Sequence, residues 1–232
     1  MAVAEWVPLI ALGLGGAATG IMGVMAYRAN DAARIIAANP PRPISEINAG
    51  PIEVKGVLHG EGKVEGQVTQ RPALYARLVI EQYRRNQWEP VLDRKEAALV
   101  WLDDGSGRVL VSPKDAQVIV ATTRRVQAGI YEVPSPVLTS LLERLGEQPE
   151  ILGPFVRWRE EVLEDGDVLH AVGAARKDDE GNWEIHGADT FHVLSDRDDA
   201  EVIRVWQRRA RMQAAGAVLG LAVAFWGLFQ LL

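Results

Sequence analysis

Four residues near the end of the central region have side chains that hydrolytic or metal chemistry uses: His186, Asp189, His192 and Ser195. A serine, a histidine and an aspartate can form a nucleophile, base and orienting group, and two histidines with one carboxylate can bind a metal ion. Ordinary structural roles compete, because the histidines fall on different predicted strands, Asp189 falls in a turn, and Ser195 is predicted to cap the following helix. We therefore expect a non-catalytic protein, with a membrane-bound hydrolase or metal site in the His186–Ser195 region as the alternative.

A second group of candidate residues is acidic. Glu160, Glu161 and Glu164 precede Asp165 and Asp167. Strand alternation places Glu160 and Glu161 on opposite faces, and no glycine-spaced calcium loop follows, so we expect a solvated acidic edge.

The chain has no cysteine, which excludes disulfides, thiolate nucleophiles and the cysteine-containing zinc sites. The sequence predicts no metal site and no cofactor.

Both ends of the chain contain a stretch without charged side chains, Trp6–Tyr27 and Gln213–Leu232. About 20 helical residues span the roughly 30 Å hydrocarbon core of a bilayer. The sequence thus predicts an N-terminal transmembrane helix at 1–28, a juxtamembrane helix and linker at 29–50, a domain at 51–195, a juxtamembrane helix at 196–212 and a C-terminal transmembrane helix at 213–232.

Arginines lie on the domain side of both predicted spans: Arg28, Arg34, Arg208, Arg209 and Arg211. By the positive-inside rule we expect the domain to be cytoplasmic, and we expect these arginines to contact anionic lipid headgroups. A secretory signal peptide would begin with basic residues, whereas Glu5 is the charged side chain before the first span. We expect a two-pass integral membrane protein of a prokaryotic cell membrane.

Each predicted span contains a pair of glycines four residues apart, Gly16 with Gly20 and Gly216 with Gly220. Small residues at this spacing allow two helix backbones to approach closely. We expect the two spans to pack on each other through these glycines. The sequence leaves open whether one of these glycine-containing helix faces instead forms a homo-oligomer.

The central region alternates apolar and polar residues in several segments, including Leu74–Arg84, Phe155–Leu163 and Val168–Ala175. One helix is predicted, with Ser135 as its cap and Gly146 at its end. The predicted fold class is mainly β (α+β), with one or two short helices and two flanking transmembrane helices.

The formal net charge of −6 and the lack of a basic stripe argue against nucleic acid as a partner.

One tryptophan falls in a polar segment. The sequence from Arg84 through Arg85 to Trp88 and Pro90 is typical of a hairpin tip rather than of a buried strand. Trp88, with Arg84 and Arg85 beside it, is therefore a candidate anchor for an unknown protein partner. The alternative is a lid packed over one end of the sheet.

The order of several motifs resembles the GIDE, or "beside a membrane", domain: Pro43-Ile44-Ser-Glu-Ile47, Val54-x-Gly56-x-Leu58, Arg71-Pro-Ala-Leu-Tyr75-x-Arg77, Trp88, Leu102-x-Asp104-Gly-Ser-Gly107 and Glu161-Val-Leu-Glu-Asp-Gly166. The resemblance covers residues 40–195 and both spans. In eukaryotes this family includes a mitochondrial outer-membrane ubiquitin ligase, whose activity resides in a zinc-binding RING after the second span. Without cysteine we expect no RING and no ligase activity here, so the resemblance implies a scaffolding domain that binds partners beside the membrane.

Overall fold

The computed structural model describes residues 6–38, 40–120, 125–132, 136–146, 155–187 and 192–231. The chain forms two compact units. One contains both ends, Met1–Pro40 and Asp198–Leu232, and the other contains Pro41–Arg197. The second unit is rich in strands and the first is helical, which confirms the predicted fold class.

The helical unit consists of α1, Val7–Ala38, and α3, Asp199–Phe229. Both helices are long and apolar enough to cross a membrane. Helix α1 continues through residue 28 because an alanine-rich segment without glycine or proline follows the apolar stretch. Helix α3 begins after Asp198, whose carboxylate accepts a hydrogen bond from the Glu201 amide at 2.7 Å. The prediction that Ser195 caps this helix is wrong, because Ser195 is the last residue of the strand Val193–Ser195.

The other elements lie between α1 and α3. A short helix, α2, spans Pro136–Leu145 and ends at Gly146, whose φ is +73°. Its predicted cap, Ser135, lies outside the described residues. The strands are β1 Gly50–Glu61, β2 Val64–Glu65, β3 Pro72–Ala73, β4 Tyr75–Arg84, β5 Gln87–Ala97, β6 Leu99–Asp103, β7 Arg108–Val111, β8 Gln117–Ile119, β9 Arg125–Glu132, β10 Phe155–Leu163, β11 Val168–Lys177, β12 Trp183–His186 and β13 Val193–Ser195.

Five of these strands close into a barrel in the order β1-β6-β7-β12-β11, with β11 pairing back to β1. Neighbours are antiparallel except β7 and β12, which are parallel. This is the strand order of the OB fold, a five-stranded Greek-key barrel. The barrel is extended on one side of β11 by β13 and then β8.

Strand β1 closes the barrel because it pairs with β11 along 50–57 and with β6 along 57–61. The change of partner occurs beside Gly56, where a Cβ atom would lie 2.9 Å from the Asp103 carbonyl oxygen. Only glycine permits this approach. Alternate residues such as Val54, Leu58, Leu102 and Leu169 fill the interior and are fully buried.

The second sheet has the order β5-β4-β10-β9 and is antiparallel throughout. One face is covered by α2, whose Leu141, Leu142 and Leu145 pack in one cluster with Ile80 and Trp158. The apolar stripe of α2 therefore accounts for one face of this sheet. The opposite face carries charged and aromatic side chains.

Candidate partner-binding surface

The hairpin between β4 and β5 turns through two residues, Arg85 and Asn86. Their φ angles are +49° and +63°, as in the type I′ turn that matches strand twist. Asparagine tolerates this conformation, whereas an arginine there costs of order 1 kcal/mol. The tip is exposed, so Arg84 and Arg85 lie at the outermost point of the hairpin.

Trp88 lies directly across from Tyr83 on the charged face of the sheet. The two ring centroids are 5.3 Å apart, and the Arg157 guanidinium carbon lies 4.4 Å from the centroid of the Trp88 ring. Arg157 is itself held by Glu81, to which its Nε donates at 2.8 Å. Trp88 is thus a half-buried indole, with its position set by an aromatic and a cationic neighbour.

The same face contains a network of ion pairs. Arg77 donates to both carboxylate oxygens of Asp93 at 2.8 and 2.7 Å. Arg77 also lies 3.7 Å from Glu161, and Arg159 lies 3.6 Å from Glu81 and 3.9 Å from Glu161. The network joins three strands, because these residues come from β4, β5 and β10.

The paired hydrogen bonds from Arg77 lower the pKa of Asp93 and raise that of Arg77. Both groups therefore stay charged near neutral pH. A carboxylate and a guanidinium held in this state can orient neighbouring side chains and present fixed charges to a partner. They cannot exchange protons with a substrate at that pH.

The acidic residues of β10 do not form the solvated edge that the sequence predicts. Glu160 is fully buried and its two oxygens accept the Val68 and Thr69 amides, each at 2.9 Å. Glu161 is 2% exposed and faces the charged network. The two residues do lie on opposite faces, as predicted from alternation. Burial is possible because amides and arginines replace water around each carboxylate.

Among the described residues, no hydrogen bond joins the Ser195 hydroxyl to His186 or His192. The Ser195 hydroxyl donates to the Ile119 carbonyl at 2.9 Å and accepts the Arg197 amide at 3.1 Å. His186 Nδ1 lies 2.9 Å from the Gly187 carbonyl oxygen. Asp189 lies outside the described residues.

His192 is 4% exposed, and neither ring nitrogen has a hydrogen-bond partner among the described residues. Burial lowers its pKa to about 4, an effect that Asp115 opposes and His186 reinforces. The ring is therefore neutral at pH 7 and is not bonded to the Ser195 hydroxyl. Across the described ranges, no three histidine, aspartate or glutamate side chains converge as a metal site.

The helical unit packs through two of the predicted glycines, Gly216 and Gly220, and through Gly15, which the sequence did not indicate. A Cβ at Gly15 would lie 2.6 Å from both the Ala224 nitrogen and the Gly220 oxygen. Gly220 approaches the Thr19 backbone, and Gly216 approaches Met22. The Thr19 hydroxyl adds a hydrogen bond to the Ala217 carbonyl at 3.2 Å.

The remaining predicted glycines of α1, Gly16 and Gly20, do not face α3, since a Cβ added to either would meet no atom of the described residues within 4 Å. The five arginines predicted to meet lipid are all exposed on α1 and α3: Arg28, Arg34, Arg208, Arg209 and Arg211. Their contact with headgroups stays a prediction.

Comparison with protein families matches a family described as GIDE, an E3 ubiquitin ligase. The match covers residues 77–229, well over half of the chain, from within β4 to the end of α3. A comparison with curated proteins found no match. Because these 232 residues include no cysteine, they cannot supply the cysteine ligands of a RING.

Proposed function

Because this chain belongs to the GIDE family but its 232 residues hold no RING, we propose that it is a non-catalytic, membrane-anchored binding and scaffolding module. Two candidate membrane-spanning helices flank the strand-rich domain. In this proposal the exposed arginines on α1 and α3 place the domain at the cytoplasmic face of a prokaryotic cell membrane. Its partner is a protein recognised beside the membrane.

The observation that carries the proposal is the position of Trp88. Its indole sits on the charged face of the second sheet, in contact with Tyr83 and Arg157, rather than in either core. Tryptophan, tyrosine and arginine are enriched among the residues that carry most of the binding energy of protein interfaces, and the two aromatic side chains bury a large area at little entropic cost. A fixed indole with Arg84 and Arg85 nearby at the hairpin tip suits a partner with an apolar pocket and nearby carboxylates.

The conformation of Arg85 is a second argument. A glycine or an asparagine would fit the positive φ of this position with less strain. Arginine at the exposed tip therefore costs stability, and a partner contact supplies a reason for it.

The test is site-specific crosslinking in intact membranes. The chain has no cysteine, so Gln87→Cys can carry a thiol-directed photocrosslinker beside the candidate anchor. We expect a stoichiometric crosslinked protein, and at least tenfold less of it when Trp88→Ala is combined with this label. Val168→Ala is the matched control, because it truncates an apolar side chain of the barrel that is 47% exposed.

An unchanged crosslinked product in Trp88→Ala would overturn the anchor assignment.

The orientation of the domain relative to the membrane is tested separately with Arg108→Cys, whose position is exposed in the domain. A membrane-impermeant maleimide should label it only after cells are broken. Labelling in intact cells would overturn the cytoplasmic placement.

A further inference from the structure

We propose that the outer face of the barrel holds a saccharide-binding site, formed by an open cleft of about 310 Å³. Its lining includes two tryptophans, Trp101 and Trp183, together with Glu61, Glu180 and Asn182. The cleft belongs entirely to the strand-rich unit and shares no residue with the Trp88 surface. Its volume lies at the small end of the roughly 300–1,000 Å³ range of small-molecule sites.

The cleft occupies a particular place in the barrel. Strands β6 and β7 provide its floor, and the loop from β11 to β12 forms one wall. These elements correspond to the second and third strands and the last hairpin loop of an OB barrel. OB barrels bind oligonucleotides and oligosaccharides on this face. The position of the cleft in the fold does not by itself identify a ligand, so the class of ligand has to follow from the side chains that line the cleft.

Both indoles are held in place. The Arg108 guanidinium carbon lies 5.7 Å from the centroid of the Trp101 ring, and Arg108 is fixed by Asp103 at 3.0 Å. Trp183 packs against the barrel core, and the Lys177 amine lies 5.4 Å from its ring centroid. Fixed indoles are suitable platforms for the C–H face of a sugar ring, because little conformational entropy is lost on binding.

The loop that carries Glu180 and Asn182 is also rigid. The Asp178 carboxylate accepts the backbone amides of both residues, at 2.9 and 2.8 Å. The Asp178 amide donates to the Asn182 carbonyl at 2.9 Å. The Asn182 side-chain amide donates to the Asp178 carboxylate at 3.2 Å and to the Glu180 carboxylate at 3.5 Å. Both side chains are exposed at the wall of the cleft, where the amide oxygen and the remaining carboxylate lone pairs can bond sugar hydroxyls.

The charges favour a sugar over nucleic acid. Glu61 and Glu180 repel phosphate, and Arg108 is the cation in the lining. Nucleic-acid sites on OB barrels instead combine aromatic residues with a positively charged groove. An extended peptide cannot add a strand here, because β6 and β7 are each paired on both sides. Indoles, carboxylates and an amide together match an uncharged polyhydroxyl ligand.

The sugar could be a soluble oligosaccharide or the headgroup of a glycolipid. The test therefore uses the full chain in detergent micelles with maltose, cellobiose and lactose, and in vesicles with and without diglucosyl diacylglycerol. Binding is read from tryptophan fluorescence and from saturation-transfer NMR of the sugar protons. We expect saturable binding. A stronger response to the soluble sugars would identify a soluble oligosaccharide as the ligand, and a stronger response to the vesicles with diglucosyl diacylglycerol would identify a glycolipid headgroup.

Affinity should fall at least tenfold in Trp101→Ala and at least threefold in Glu180→Gln, which changes an exposed side chain and leaves the fold intact. Trp88→Ala should bind as the parent does, so this result is independent of the proposed protein partner. Absence of binding to every sugar and vesicle would overturn the proposal. Equal affinity in parent and Glu180→Gln, or preferred binding of a dodecathymidine strand, would overturn it as well.

Discussion

Acid should destabilise this protein through His192. The ring is buried, and its pKa falls from 6.5 to about 4 because burial disfavours the charged form. The folded state therefore binds fewer protons than the unfolded state between these two values. Stability contributed by the neutral ring is complete above pH 6.5 and is lost as the pH falls toward 4.

The size of the effect follows from the two pKa values. One pKa unit corresponds to about 1.4 kcal/mol, so linkage gives a loss of about 2 kcal/mol between pH 7 and pH 5 from this residue. His192→Leu removes the titrating ring, and it leaves no partner unsatisfied because neither ring nitrogen is hydrogen-bonded within the described part of the chain. The variant should lose about 2 kcal/mol less than the parent over the same interval.

The assay is urea denaturation of the full chain in detergent micelles, followed by tryptophan fluorescence at pH 7 and pH 5. His59→Gln is the matched control, since it removes a histidine whose side chain is 38% exposed. It should retain the parent's loss of stability on acidification. Equal losses in the parent and in His192→Leu would refute the reasoning.

Three further predictions concern stability and packing. Tyr75→Phe should raise the free energy of unfolding by about 1 kcal/mol, because the buried hydroxyl has no hydrogen-bond partner in the described ranges; an unchanged or lower melting temperature would contradict this. Gly15→Val should destabilise the helix pair by about 1–3 kcal/mol through overpacking, whereas Gly16→Val, with open space around it, should not; thermal melts of both in micelles decide. Arg85→Gly should stabilise the hairpin by about 1 kcal/mol and yet weaken crosslinking to the partner, and a gain in both would argue against a binding role.

Strand β5 illustrates a limit of prediction from sequence. Its residues include Trp88, Pro90, Asp93 and Lys95, and the sequence predicts only a polar hairpin tip there. It lies at one edge of its sheet, and one of its faces meets the charged network rather than a core. Apolar alternation is therefore weak, although the strand pairs with β4 along its whole length.

The buried glutamates illustrate another limit. Alternation correctly separates Glu160 from Glu161, but burial depends on what lies above each face. The amides that bind Glu160 come from residues 68 and 69, and Arg77, beside Glu161, comes from β4. Such long-range partners leave no local pattern, so a charged residue is assigned to solvent by default.

The sequence alone determined the two apolar helices, the strand-rich domain between them and the absence of RING cysteines from these 232 residues, because span length, alternation and cysteine content are read directly from the residues. Only the tertiary structure decided which glycines meet, how β1 closes the barrel and which side chains share a surface. Trp101 and Trp183 are far apart in the chain but line one cleft. Convergence of this kind depends on strand order and register, which follow from the packing of the whole domain.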